Sequence, residues 1–351
     1  MTASQDLGER RSIRSLDFLV APAIAVAFAV VGFGVIPAFG NDYWLNAILI
    51  PFLIMSLIGL GLNLLLGYAG QASLGSGGFM AVGAYVTYNV LLRLPALPLP
   101  FALLIGGLVA GAAGVAFGLP SLRIRAFYLL ASTLAAQFLL EWLFNQFPWF
   151  SNYSPSGLIS APRLEFLGYD LTDARGRYLL TLTTVSLLTW LAYNLVRSQT
   201  GRNWQAIRDM DTAAAIIGIP VGSNKLLAFF VSSFVIGVGG ALWAFAYLGS
   251  VDSRTFSLDR SFTVMFIVII GGLGSISGGY IGAAFMVLLP ILIDRVAGAL
   301  FGGAIDGGQI QNLQHALFGA LIIFFLAKEP NGLAALIKTF AARICKPRSS
   351  S

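Results

Sequence analysis

Charge is what this sequence has least of. Only 10% of its 351 residues are Asp, Glu, Lys or Arg, 57% are hydrophobic, and the mean hydropathy is +0.83. A soluble domain carries about 25% charged residues, so no ordinary water-facing surface is being built. Tyr43–Leu92, Leu94–Leu122, Leu226–Val251 and Ser261–Ile293 hold no charged side chain at all. A spanning helix needs roughly 20 mostly apolar residues, and the first of these stretches has room for two. The apolar–polar alternation of a transmembrane β-barrel is also missing, because Phe18–Phe39 and Leu226–Leu248 are apolar on every face. The composition therefore gives an all-α polytopic membrane protein.

Other scarcities exclude chemistries. Cys345 is the single cysteine and His315 the single histidine. One of each builds neither a disulfide framework nor a zinc or haem site. No Gly-x-x-x-x-Gly-Lys-[Ser/Thr] loop is present, so the chain does not hydrolyse ATP alone. A proton relay would need a chain of carboxylates within the spans. Glu141, and Asp294 beside Arg295, instead read as structural residues near outer helix ends, and His315 as an interfacial residue.

The pattern predicts about ten helices: Phe18–Phe39, Leu45–Leu66, Leu74–Leu92, Pro98–Leu119, Ala126–Phe147, Tyr178–Val196, Lys225–Gly249, Ser261–Gly274, Gly278–Val296 and Leu313–Ala327. The first is too long for a cleaved signal peptide and lacks a small-residue cleavage site after it. With the N-terminus cytoplasmic, 14 basic residues fall inside and 7 outside, while the acids divide 6 inside and 9 outside. That asymmetry obeys the positive-inside rule, so the net charge of +6 is a topology signal rather than a nucleic-acid patch. Both termini are then cytoplasmic, provided that Ser261–Val296 is broken near Gly271-Gly272-Leu273-Gly274-Ser275. The expected organisation is a cytoplasmic segment 1–17, a membrane domain 18–328 and a basic cytoplasmic tail 329–351. Within the membrane domain lie an outer loop 148–177 and a cytoplasmic loop 197–224.

Two regions differ from plain lipid-facing helix. Gly61–Gly78 holds six glycines and five polar side chains, with Asn63, Gln71, Ser73, Gly75 and Ser76 in an uncharged run. Gly271–Ala283 repeats the mixture later, through Gly271, Gly272, Gly274 and Ser275. One reading is a pair of broken helices lining a solute path near the midplane. The other is close helix packing through small residues. The loop from Arg197 to Asn224 is distinct again. Trp204, Ile207, Met210, Ala214 and Ile217 recur at steps of three and four, predicting one amphipathic helix ended by Gly218 and Pro220. Arg202, Arg208, Asp209 and Asp211 occupy its other side. Such a helix lies on the membrane surface or docks into a groove on a soluble partner.

Here the sequence resembles a known family. Gly201-Arg202 through Ala206-Ile207-Arg208, Ala213-Ala214 and Gly218-Ile219 is similar to the cytoplasmic coupling segment of ABC importer permeases, specifically the branched-chain amino-acid permease family. Gly61–Gly75, Ser121–Thr133, Lys225–Phe229 and Gly271–Ala283 add to the likeness, which covers roughly Asn46 to Pro290. The resemblance implies a second, often non-identical permease subunit, two cytoplasmic ATPases that carry the ATP and magnesium, and a periplasmic solute-binding protein. It implies a bacterial inner-membrane location, no cofactor on this chain, and ATPases that grip Ala213, Ala214 and Gly218. The family's usual acid before the alanines is replaced by Thr212, with Asp211 adjacent. Its outer Thr-Gly-Gly-x-x-Gly turn is replaced by Asn152–Leu158, where Gly157 survives. The family also moves urea, short amides and aromatic acids. Two other classes remain on the residues alone: a self-sufficient ion-coupled transporter or channel, and a membrane-embedded enzyme, for which no metal cluster or nucleophile–base pair is visible.

Overall fold

The computed structural model describes residues 30–39, 41–95, 97–122, 126–155, 157–161, 165–166 and 169–301, with isolated positions between 308 and 334. The expected N-terminal segment, most of the first and last helices, His315, Arg123, Arg125 and the tail with Cys345 lie outside the described residues.

A helical stretch, Val30–Val35 running into Ile36–Phe39, is followed by α1 (Asp42–Tyr68), α2 (Ser76–Arg93), α3 (Leu99–Gly118), α4 (Ala126–Gln146) and α5 (Ala174–Arg197). Two short helices, α6 (Gln199–Asp209) and α7 (Asp211–Ile216), lead into α8 (Val221–Leu248), then α9 (Leu258–Gly271) and α10 (Ile276–Phe301). The chain is an all-α membrane protein. Five helices are long and apolar enough to cross a membrane: α1, α3, α5, α8 and the Ile276–Val296 part of α10. Among the described residues this is fewer than the ten crossings expected. α2 is diluted by serine, threonine, asparagine and glycine, and α9, at 14 residues, is about 21 Å long against a hydrocarbon core of about 30 Å.

Apolarity on every face puts α1 and α8 at the centre. The most apolar stretch of α1 is 83% buried inside the chain, against 28% for that of α5. α8 packs on α3, α2 and α1, while α1 also meets α10, α5 and α9. Small residues set the closest of these contacts, since Gly107, Gly111 and Gly114 of α3 face Phe234, Phe230 and Ser233 of α8. The expected interruption of Ser261–Val296 is present. α9 ends at Gly271, Gly272 takes φ 117°, and α10 begins at Ile276.

At one end of the bundle, β1 (Ile159–Ser160) pairs antiparallel with β4 (Ser250–Val251), tying the loop after α4 to the segment after α8. A second two-residue pair joins β2 (Glu165–Phe166) to β3 (Tyr169–Asp170). The Arg93 guanidinium lies 3.4 Å over the Trp149 ring at this same end. Within the loop, Asn152, Tyr153 and Gly157 all take positive φ.

Candidate functional site

The predicted single amphipathic helix is two helices. α6 stops at Asp209, Met210 is extended (φ −161°, ψ 103°), and α7 starts at Asp211. The helix dipole explains the break: Asp209 is unfavourable at a helix C-terminus, whereas Asp211 is favourable in the first turn of a new one. The five-residue apolar stripe therefore does not form one face. Trp204, Ile207 and Ala214 are buried, but Met210 and Ile217 are exposed. Gly218 does terminate the segment. Its φ is 86°, and Gly218 N donates to Ala215 O while Ile219 N donates to Ala214 O, the paired bonds of a Schellman cap.

Burial assigns different work to the two helices. Trp204 sits in an apolar cluster with Leu60, Leu64, Leu65, Tyr68, Ala228 and Phe229, and its indole Nε1 donates to Asn224 O at 2.9 Å. Trp204 and Ile207 therefore anchor α6 to the bundle and are not themselves available to a partner. Arg202 is exposed and turns back onto Arg197 O. On α7 and the two residues that cap it, Asp211 pairs with Lys225, Ala214 is buried, and Ala213, Ala215, Ile216, Ile217 and Gly218 are exposed. A surface-facing Ile216 at 85% exposure and Ile217 at 73% form a small apolar platform.

The second sequence-predicted group converges on α6. Asn63, fully buried in α1, donates from Nδ2 to Ser275 O at 2.7 Å and accepts at Oδ1 from Gly274 N at 2.9 Å. Arg208 donates from Nη1 to Gly67 O at 2.8 Å, and its Nε and Nη2 donate to Asp209 Oδ1 at 3.1 and 3.0 Å. The approach is close enough that a Cβ at Gly67 would collide with Asn63 Oδ1 and Gly274 N. The turn after α9 and the end of α1 thus meet beside α6. They lie at an end of the bundle, because α1 runs 27 residues, about 40 Å, before it breaks at Tyr68.

The first break nonetheless reaches the interior. Residues 69–75 run inward with Ala69, Gln71, Ser73 and Gly75 buried, and α2 begins at Ser76 against the middle of α4. Its leading N–H groups are satisfied by distant side chains. Gly77 N donates to Ser261 Oγ at 2.8 Å, Gly78 N donates to Gln137 Oε1, and Leu74 N donates to Thr133 Oγ1 at 3.0 Å. Gln137 also donates to Phe256 O at 2.7 Å, so both ends of its amide are used. Ser73 Oγ accepts from Gly75 N, whereas the buried Ser76 Oγ has no partner among the described residues. A helix end inside an apolar bundle requires such partners.

Residues 44–326 match the model of the family described as branched-chain amino acid transport system / permease component. The chain belongs to that family. It is 31% identical over 309 residues to the high-affinity branched-chain amino acid transport system permease protein LivM of Escherichia coli K12, covering 82% of this chain and 69% of the relative. A probable branched-chain amino acid transport permease protein LivM of Methanocaldococcus jannaschii is 20% identical over 326 residues, covering 82% and 92%. The autoinducer 2 import system permease protein LsrC of Enterobacter sp. strain 638 is 27% identical over 221 residues, covering 62% and 61%. No solved structure matches.

The matched span runs from Trp44, in the first turn of α1, through α10, so every contact just described lies within the permease region. Asn63 and Arg208 stand out in the sequence and Gly67 lies within the Gly61–Gly78 run, but nothing there pairs them. Composition and periodicity do not place Thr133, Gln137 and Ser261 in the site. A glutamine at mid-helix in α4 was the available signal, because an amide in an apolar span needs both ends bonded.

Proposed function

We propose that this permease is the membrane subunit of an ATP-binding-cassette importer in a bacterial inner membrane, with the end bearing α6 and α7 facing the cytoplasm. Two partner ATPases hold the ATP and magnesium and grip the exposed face of α7. A second, non-identical permease completes the path, and a periplasmic binding protein delivers solute to the opposite end, where β1 and β4 pair. The observation that carries this reading is the exposed platform of Ala213, Ile216, Ile217 and Gly218, held on a buried anchor in a chain of this family. An exposed apolar patch beside charged residues is the ordinary form of a docking site.

The solute is proposed to be a branched-chain amino acid. Its path runs beside the two breaks, along Gln71, Ser73, Gly75 and Ser76 on one side and Gly271, Gly272, Gly274 and Ser275 on the other. An internal helix end of this kind suits the carboxylate of a small zwitterion. A second cargo class, a non-amino-acid polar solute, is favoured by the likeness to an autoinducer 2 import permease. The positive-inside pattern supports cytoplasmic termini and about ten crossings.

Co-purification tests the docking assignment. Ala213→Arg and Gly218→Trp should each abolish association with the ATPases, and undiminished association in both would sink it. Solute binding by the cognate binding protein, measured with leucine, valine, urea and autoinducer 2, separates the cargo readings.

A further inference from the structure

We infer that Arg208 is the transmission residue of this permease: it ties the partner-facing segment to both membrane breaks, which Asn63 locks into one moving unit. The inference rests on the coupling role proposed for α7.

The last carbonyls of any helix lack intrahelical partners, and Gly67 O belongs to the final wide turn of α1, Leu64–Tyr68. A guanidinium there answers both the free acceptor and the negative end of the helix dipole. The guanidinium is not free to wander. Asp209 holds Nε and Nη2, which leaves Nη1 aimed inward at Gly67 O. Its stem runs over Gly70, and Nη1 also lies beside Gly274. The last turn of α6 therefore touches the end of α1, the start of the first break and the second break together.

Asn63 removes the independence of the two breaks. Both polar ends of its amide are spent on the Gly274–Ser275 turn, more than 200 residues away in sequence. α6 has extended backbone at each end, at Ser198 and at Met210. It is a short lever, fixed to the bundle by Trp204 and Arg208. A push on α7 that moves α6 must then carry Gly67 and Gly274 with it, or break the Arg208 bond.

The test uses the full chain assembled with its co-purifying ATPases, second permease and binding protein in proteoliposomes, with leucine as the probe. Arg208→Ala should assemble in wild-type yield and still hydrolyse ATP, while leucine taken up per ATP falls about tenfold or more, the scale expected on losing a hydrogen bond to a charged group. Arg208→Lys, which keeps the charge but not the planar fork, should recover part of the ratio. An unchanged ratio in Arg208→Ala overturns the inference, and so does loss of assembly, which would make Arg208 a structural residue. Amide exchange on the full chain in nanodiscs is independent of cargo. Arg208→Ala should raise exchange in 67–75 and 271–275 together and leave α3 unchanged, whereas a rise confined to 67–75 refutes the single moving unit. If the wild-type chain binds no ATPase, the functional reading fails, and the exchange result still decides whether the breaks are linked.

Discussion

α6 and α7 are neighbours in one loop and share one apolar periodicity, yet they meet opposite surroundings. α6 turns Trp204 and Ile207 into the bundle, both nearly inaccessible, while α7 and its cap turn Ile216 and Ile217 outward. The same spacing of apolar residues serves anchoring in the first helix and presentation in the second. A single extended residue, Met210, rotates one face away from the other. Periodicity locates apolar faces; it does not say which neighbour covers them.

Substitutions in the two helices should therefore separate stability from partner binding. The largest effect is expected for Trp204→Ala, which empties a buried site and removes the bond to Asn224 O. It should lower stability by about 3–5 kcal/mol, seen as a reduced thermal midpoint in detergent. Ala213→Arg should leave that midpoint within the change of about 0.5 kcal/mol usual for a surface site while abolishing ATPase capture. A large drop in the midpoint would show that α7 is an anchor as well. Gly218→Ala places a side chain at φ 86°, costing about 1 kcal/mol, and should weaken capture only as far as the cap frays, read by titrating ATPase against immobilised permease. The smallest structural effect belongs to Ile216→Ser, under about 0.5 kcal/mol. Its capture should nonetheless weaken, and unchanged capture would move the contact to Ala213 and Gly218 alone.

The sequence made the membrane class, the order of the helices and the Gly271–Ser275 break legible, because charge-free runs and glycine clusters are local signals. Gly218 was legible as a helix terminator for the same reason. The α6–α7 break was not, since Trp204, Met210 and Ile217 fit one helix equally well until Asp209 is weighed against the dipole. Long-range pairing was hidden too. Nothing near Asn63 announces Ser275, and nothing near Arg208 announces Gly67, because each of those partners is a backbone carbonyl that any residue carries. The polar residues of the first break were visible, but not that Gln137 and Ser261 would answer it from other helices.

That last arrangement has a consequence for how the protein is made. The backbone donors of Gly77 and Gly78 wait for acceptors on Ser261 and Gln137, 184 and 59 residues further along. Before Ser261 is made, Gly77 N has no such acceptor, and a bare polar group surrounded by hydrocarbon costs several kcal/mol. The start of α2 therefore completes its bonding only once α9 is in place, so the first half of the permease is finished by the second. A chain stalled before Ser261 should present the 69–78 region to proteases and quality-control factors, and release from that exposure would coincide with the arrival of α9.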